Sequence, residues 1–205
     1  MISTCKETIP KGRENLTKLL PRVEHDHWVV AVKFSPNGQR IAIATWNRDV
    51  RVYDSQNGDL LVAIPISVVS SELNQSLTWT TDSRQLFALS HASNVTDINC
   101  INVSAGKTLS RWPIGSMHAQ CIALAGHGAF IAPSTLSSVL FWDTAMHKKI
   151  DSVIHHTADI VSMAISSNYD LVTAGGKGLT IRNLCDVLPS PYCNDVSAFA
   201  FIVLK

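Results

Sequence analysis

The sequence predicts an all-β chain of short antiparallel meanders, and three observations support that class. Apolar and polar residues alternate with period two in short runs, the spacing that puts successive side chains on opposite faces of a strand. Turn residues break the runs at regular intervals, and the whole pattern returns along the chain. The opening stretch displays all of it. VVAVKFS at 29–35 alternates, PNG turns, QRIAIAT at 39–45 alternates, WNRD turns, and VRVYD at 50–54 alternates again.

The ending of that stretch recurs. VRVYDSQNGDLL at 50–61 is echoed by INCINVSAGKTL at 98–109, VLFWDTAMHKKI at 139–150 and LTIRNLCDVLP at 179–189. Each copy is an alternating strand, an Asp or Asn, a turn and a resumed apolar run. The anchors Tyr53-Asp54, Ile101-Asn102, Trp142-Asp143 and Arg182-Asn183 are separated by 48, 41 and 40 residues. Four strands repeated every 40 residues or so form the blade of a β-propeller.

The units run over 24–66, 67–114, 115–154 and 155–193. The tail NDVSAFAFIVLK at 194–205 reads as the first strand of another unit, with Val196, Phe199 and Phe201 standing where Val29, Val32 and Phe34 stand in the first. Four units and the start of a fifth predict a partial or small propeller with open blade edges, which favour self-association. Residues 1–23 read as a lead-in or linker, a helical turn, or a strand that completes another blade; the stretch before Pro21 is short for a stable helix, in which Leu16, Leu19 and Leu20 would share one face.

Composition narrows the function. Of 205 residues, 46% are hydrophobic and only 16% charged, against about 25% in ordinary domains. The net charge of +1 gives no reason to expect nucleic acid or an acidic membrane surface. Residues 1–22 hold five basic and two acidic side chains, a solvated lead-in rather than a binding arm. Cysteines at 5, 100, 121, 185 and 193 are odd in number and lack a C-x-x-C pair, so neither a disulfide framework nor a zinc site is expected. The start lacks the apolar core of a signal peptide, and no apolar run is long enough to span a membrane. The triplets at Asn15, Asn94 and Asn102 are therefore read as chance matches to the glycosylation pattern. The expected compartment is intracellular, cytoplasmic or nuclear.

The stretch Glu24 to Asp54, EHDHWVVAVKFSPNGQRIAIATWNRDVRVYD, resembles the WD-repeat family. Glu24-His25 stands for the family's opening Gly-His pair, Ser35-Pro36-Asn37-Gly38 for its Ser-Pro-Asp-Gly turn, and Tyr53-Asp54 for its Trp-Asp ending. The resemblance is specific over this unit and extends to 193 mainly through spacing and strand pattern. It implies a hydrogen-bond network inside each blade, linking a His before the first strand, a strand Ser, a turn Asp and the Trp. Carried over, those positions fall on His25, Ile43, Asn47 and Tyr53 in the first unit, where Ile43 has no side-chain hydrogen bond to give. The second unit has Ser70, His91, Val95 and Ile101, which implies that its network is lost. The third keeps Trp142 and Asp143 but has Leu136 where Asp is expected. The fourth keeps His156, with Gly176 and Arg182. Side-chain packing is then expected to hold these blades together.

No constellation specifies catalysis. His25 and His27 flank Asp26, but His25 is taken up by the repeat opening, and His155-His156 opens the fourth unit in the same way. Adjacent strand residues point to opposite faces, which disfavours joint ligation. The Asp residues at 26, 49, 54, 82 and 143 lie in or beside turns, where their side chains bond nearby backbone. Gly126-His127-Gly128 and Gly175-Gly176-Lys177-Gly178 sit between strands without the helix that a phosphate loop needs. The expectation is no catalytic residue, no metal and no cofactor.

Trp79 and Trp142 fall on core positions of strands. Trp28 and Trp46 lie in or beside turns, and family resemblance places such loops at the end of the wheel where partners dock. Trp46 and Arg48 are the contact candidates, since aromatics and Arg at a rim act as anchors. The reading is a non-catalytic scaffold that binds a protein or peptide. The alternatives are a partner-sensing segment of a larger multidomain protein and, less favoured, an enzyme on a propeller scaffold.

Overall fold

The computed structural model describes residues 23–46, 49–66, 76–92, 95–115, 119–125, 130–176 and 178–189. The lead-in 1–22, Asn47, Arg48, Ser70, the glycines at 126 and 128, Lys177 and the tail 194–205 lie outside the described residues. Blade 1 is a four-stranded antiparallel sheet of β1 (Val29–Phe34), β2 (Arg40–Thr45), β3 (Asp49–Asp54) and β4 (Leu60–Pro65), in that spatial order. Blade 2 repeats it with β5 (Leu77–Trp79), β6 (Gln85–Ala92), β7 (Val95–Asn102) and β8 (Lys107–Gly115). Blade 3 holds β9 (Ala119–Ala125), β10 (Phe130–Thr135), β11 (Ser138–Asp143) and β12 (Lys148–His155). Blade 4 has three described strands, β13 (Ile160–Ile165), β14 (Asp170–Gly175) and β15 (Gly178–Asn183), followed by one 3-10 turn at Leu184–Asp186.

Two turn devices recur and account for the period seen in the sequence. The first closes each described loop between a blade's first two strands. A hydroxyl at the loop's start accepts from the amide that resumes the sheet: Arg40 N–H to Ser35 Oγ at 2.9 Å, Gln85 N–H to Thr80 Oγ1 at 2.9 Å, and Asp170 N–H to Ser166 Oγ at 3.0 Å. The same loops turn through a left-handed residue three positions on, at Gly38, Ser83 and Tyr169, with φ of +71°, +60° and +63°. Only the first is a glycine, so two of the three turns hold a side chain in a region most residues avoid.

The second device ends every repeat. Asp54 Oδ1 accepts from Gln56 N–H at 2.7 Å, and Asn102 Oδ1 from Ala105 N–H at 2.8 Å. Asp143 Oδ1 accepts from Ala145 and Met146 N–H, and Asn183 Oδ1 from Cys185 N–H at 2.9 Å. An Asx side chain that satisfies the next turn's amides explains why Asp or Asn closes all four copies.

The blades stack face to face, and each seam has its own apolar core. Ala31, Ala42, Ala44, Val50 and Val52 of blade 1 pack against Leu77, Trp79, Leu86 and Ile101 of blade 2. Phe87, Leu89, Ile98 and Trp112 meet Ile122, Leu140 and Trp142 at the next seam. Val139, Phe141 and Ile154 of blade 3 meet Ile160, Met163, Tyr169 and Leu171 of blade 4. Polar bonds cross the seams as well. Trp79 Nε1–H donates to Lys33 O at 3.1 Å, Asn37 N–H to Ser83 Oγ at 3.1 Å, and Cys121 Sγ to Val161 O at 3.4 Å.

The innermost strands β1, β5, β9 and β13 pack in sequence, each on the next. Residues 77–79, 122–124 and 163–165, with Lys33, Phe34 and Pro36, border one axial space of about 400 Å³. Lys33 is the only charged side chain among those residues.

Candidate functional site

Among the described residues, one end of the stack gathers segments that precede first strands and follow second strands. At blade 1 these are Val23–Trp28 and Trp46, brought together because β1 and β2 run antiparallel and Val29 pairs with Thr45. Trp46 N–H donates to Trp28 O at 2.9 Å, and the two indoles stack with centroids 5.5 Å apart and an interplanar angle of 28°. The pair is not buried: Trp28 is 75% and Trp46 42% exposed. Two stacked indoles facing water form a rigid apolar surface, since each ring is held by its neighbour and by the strand pairing beneath. Beside it, Val23, Glu24, His25, His27 and Val29 line an open cleft of about 400 Å³.

Beneath the surface lies a polar cluster. Thr45 Oγ1–H donates to Asp49 Oδ1 at 2.5 Å, and Arg51 Nε–H donates to Asp49 Oδ2 at 2.9 Å. Thr45 is buried and Asp49 nearly so. The hydroxyl–carboxylate pair of blade 1 is thus Thr45 and Asp49. Ile43, the position carried over for the hydroxyl, lies two residues earlier on the same strand and is half-buried. Register explains the offset: Thr45 is the last residue of β2 and Asp49 the first of β3, so their side chains meet across the turn.

His25 packs edge-on against Tyr53, with ring centroids 5.8 Å apart at 86°. Both its ring nitrogens are shut off from solvent, without a hydrogen-bond partner among the described residues. Burial lowers its pKa, the Arg51 guanidinium lowers it further, and Asp49 and Asp26 oppose both. His25 therefore sits as a neutral ring at neutral pH.

The other repeat positions divide into core and turn. Trp142 is buried in the seam between blades 2 and 3, under the cation of Lys149 at 6.0 Å from its ring. Asp54 and Asp143 are occupied by their turn amides. His156 is buried and bonds through Nδ1 to the Ala158 backbone at 3.0 Å. Leu136 forms an exposed turn with φ of +39°. Gly175, also at this end, lies so close to Asp159 that an added Cβ would fall 2.1 Å from its carbonyl oxygen.

Blade 2 carries polar contacts of its own at other positions. Asn99 Nδ2–H donates to Ser90 Oγ at 2.7 Å, His91 Nδ1 lies 3.0 Å from Thr96 Oγ1, and Arg111 Nε–H reaches Asn99 Oδ1 at 3.2 Å. Of these only His91 is a carried-over position; Ser90, Thr96 and Asn99 sit one or two positions from one and Arg111 ten, so position-by-position transfer missed them. The usable signal was the run of buried polar residues on β6 and β7, Ser90, Asp97 and Asn99 on one face and Thr96 on the other, which need partners.

No group of three or more His, Cys, Asp or Glu among the described residues is placed to hold a metal ion. Burial raises the pKa of Cys100 and Cys121, which keeps both as protonated thiols and poor nucleophiles. No helix among the described residues is long and apolar enough to cross a membrane.

Comparisons with known proteins fit this architecture. Residues 1–82 match the family model described as the Anaphase-promoting complex subunit 4 WD40 domain. WD repeat-containing protein 1 of Mus musculus is 30% identical over 95 residues, which is 45% of this chain and 15% of that protein. The same protein of Rattus norvegicus matches to the same extent. Among solved structures, Kuenenia stuttgartiensis hydrazine synthase superposes with a TM-score of 0.67 at 14% identity, over 82% of this chain and 50% of that one. U3-55K gives 0.66 at 15% identity over 80% and 51%, and the RRP9 WD40 repeats give 0.65 at 15% over 80% and 50%. The chain thus spans about half the length of the solved chains it matches, and a smaller share of the relatives. At these identities the solved structures speak to the fold alone. Four-stranded blades stacked about an axis, Asx-closed repeats and these matches together support a WD-repeat family for this chain.

Proposed function

We propose that the chain is a non-catalytic scaffold that binds a protein or peptide partner at the Trp28–Trp46 end of blade 1. The observation that carries this reading is the stacked, solvent-facing tryptophan pair. Burying large aromatic area is costly to forgo, and exposed indoles of this kind are enriched among the anchors of protein interfaces. The pair is already ordered, so a partner gains apolar contact without paying much side-chain entropy. Arg48 follows Trp46 by two residues and is assigned here as a neighbouring contact. WD-repeat domains serve generally as interaction scaffolds, which supports the same class of function. The net charge of +1 supports a protein partner over nucleic acid. An intracellular location is part of the reading, in keeping with free thiols at Cys100, Cys121 and Cys185.

The test compares the chain with its Trp46→Ala variant in quantitative affinity purification, with thermal melting of both measured in parallel. The reading expects a defined set of proteins to fall at least about tenfold in the variant while melting changes little, about 1.4 kcal/mol of interface energy or more. An unchanged set overturns it.

A further inference from the structure

Blade 1 carries two exposed Asn-Gly dipeptides, Asn37-Gly38 and Asn57-Gly58. In such a pair the side-chain amide is open to attack by the next backbone nitrogen, because glycine puts no Cβ in the way. The fold needs only one of the two asparagines. Asn37 Oδ1 accepts from Ser35 Oγ–H at 2.8 Å and Gln39 N–H at 3.1 Å. Asp82 does the same work in blade 2, accepting from Thr80 Oγ1–H at 2.6 Å and Arg84 N–H at 3.0 Å, so that turn asks for an Asx side chain. Asn57 has no such counterpart. The β3–β4 turn and its equivalents pass through a left-handed residue at Gly58, Gly106 and His147, with φ of +78°, +63° and +56°. The residue before it is Asn57 in blade 1 but Ala105 in blade 2 and Met146 in blade 3.

Both amides are held, by locks of different reach. The Asn37 turn is tied to blade 2: Asn37 N–H donates to Ser83 Oγ at 3.1 Å and Arg40 Nη1–H to Ser83 O at 3.4 Å. The Asn57 lock lies wholly between Asp54 and Asp59. Asn57 Nδ2–H donates to Asp59 Oδ2 at 2.6 Å, and its Oδ1 accepts from Asp59 N–H at 3.0 Å. The attacking nitrogen is held too, since Gly58 N–H donates to Asp54 O at 3.0 Å. Exposed bonds confined to one turn open locally, whereas opening the Asn37 turn also breaks contacts across a seam.

We infer that Asn57 is a modification site gated by its own turn: closed, the turn protects the amide, and open, it lets the side chain deamidate. In the open turn hydroxide takes the Gly58 amide proton and the nitrogen attacks Asn57 Cγ. The new N–Cγ bond forms, the Cγ–Nδ2 bond breaks, and ammonia leaves with a proton from water. Water then opens the cyclic imide, giving aspartate if the new bond breaks and isoaspartate if the original peptide bond breaks. Either product sets a carboxylate oxygen against Asp59 Oδ2 in place of a donor. Isoaspartate also lengthens the main chain by a methylene, so the turn cannot re-form all its bonds. The strand that follows, β4, supplies Ile64 to the seam with blade 2, and the modification loosens that edge of the core. The inference does not depend on the Trp28–Trp46 reading.

Incubating the chain at mildly alkaline pH, with peptide mass spectrometry at both asparagines and enzymatic methylation to score isoaspartate, tests it. In the chain unfolded by guanidinium the two sites are expected to react at similar rates. In the folded chain both slow, Asn57 by at least about tenfold, and Asn57 stays at least about threefold faster than Asn37. Asp59→Ala removes the acceptor of Asn57 Nδ2 and is expected to speed Asn57 by at least about threefold while leaving Asn37 unchanged, which separates local opening from global unfolding. Asp59→Asn keeps an accepting oxygen and should stay near the wild-type rate. Equal rates at Asn57 in the folded and unfolded chain overturn the gate. So does an Asp59→Ala variant no faster than wild type, and a folded chain that reacts first at Asn37 overturns the assignment of the site.

Discussion

Asp49 serves two partners at once, accepting from Thr45 through one oxygen and from Arg51 through the other. With its side chain only 12% exposed, neither bond is readily replaced by water. Asp49→Ala leaves Thr45 Oγ1 only its 3.3 Å bonds to the backbone of residue 49 and takes the carboxylate from the half-buried Arg51 guanidinium, and is expected to cost about 1–3 kcal/mol in urea denaturation. His25 gives a prediction in pH. Folding lowers its pKa, so the unfolded chain binds the proton more readily. Its contribution to stability is fully present above the ordinary histidine value of about 6.5 and is lost as pH falls through that value, levelling off below the folded pKa. His25→Gln should flatten the stability profile below pH 6.5 and leave the profile above it unchanged in slope. An equally steep acid limb in the variant would show that the titration lies elsewhere.

At the level of elements, most of the strand order was legible in the sequence. Alternation marked strands where one face meets a seam and the other is half-exposed, as in β2 and β3. Blade 2 was harder, because β6 and β7 are buried on both faces and the buried polar residues Ser90, Thr96, Asp97 and Asn99 break the apolar alternation. The repeat endings were legible because an Asx side chain is needed at each turn, whatever residue precedes it. The polar network was not, since Thr45–Asp49 and Ser90–Asn99 depend on which residues a two-residue register brings opposite each other. The Trp28–Trp46 stack likewise joins residues that only the pairing of β1 with β2 makes neighbours. The seams should be cooperative. Trp79 both fills the seam of blades 1 and 2 and donates to Lys33 O, so Trp79→Phe keeps much of the apolar volume and loses the bond. It is expected to cost about 1–3 kcal/mol, with blades 1 and 2 unfolding together in hydrogen exchange. Blade 1 exchanging early, alone, would contradict a shared core.

For the whole molecule, the account assigns recognition to one end of blade 1 and leaves the rest of the stack to hold that end rigid. Asp54, Asp143 and His156 at the repeat positions are taken up by turn amides and seam burial. Placing a photo-crosslinking residue at His27, beside Trp28, and separately at Met146, an exposed turn residue of blade 3, tests the assignment to blade 1 most directly. The account predicts crosslinks from position 27 to a defined partner that Trp46→Ala abolishes, with few from position 146. Equal crosslinking from both positions, or crosslinks at 27 that survive Trp46→Ala, would contradict it.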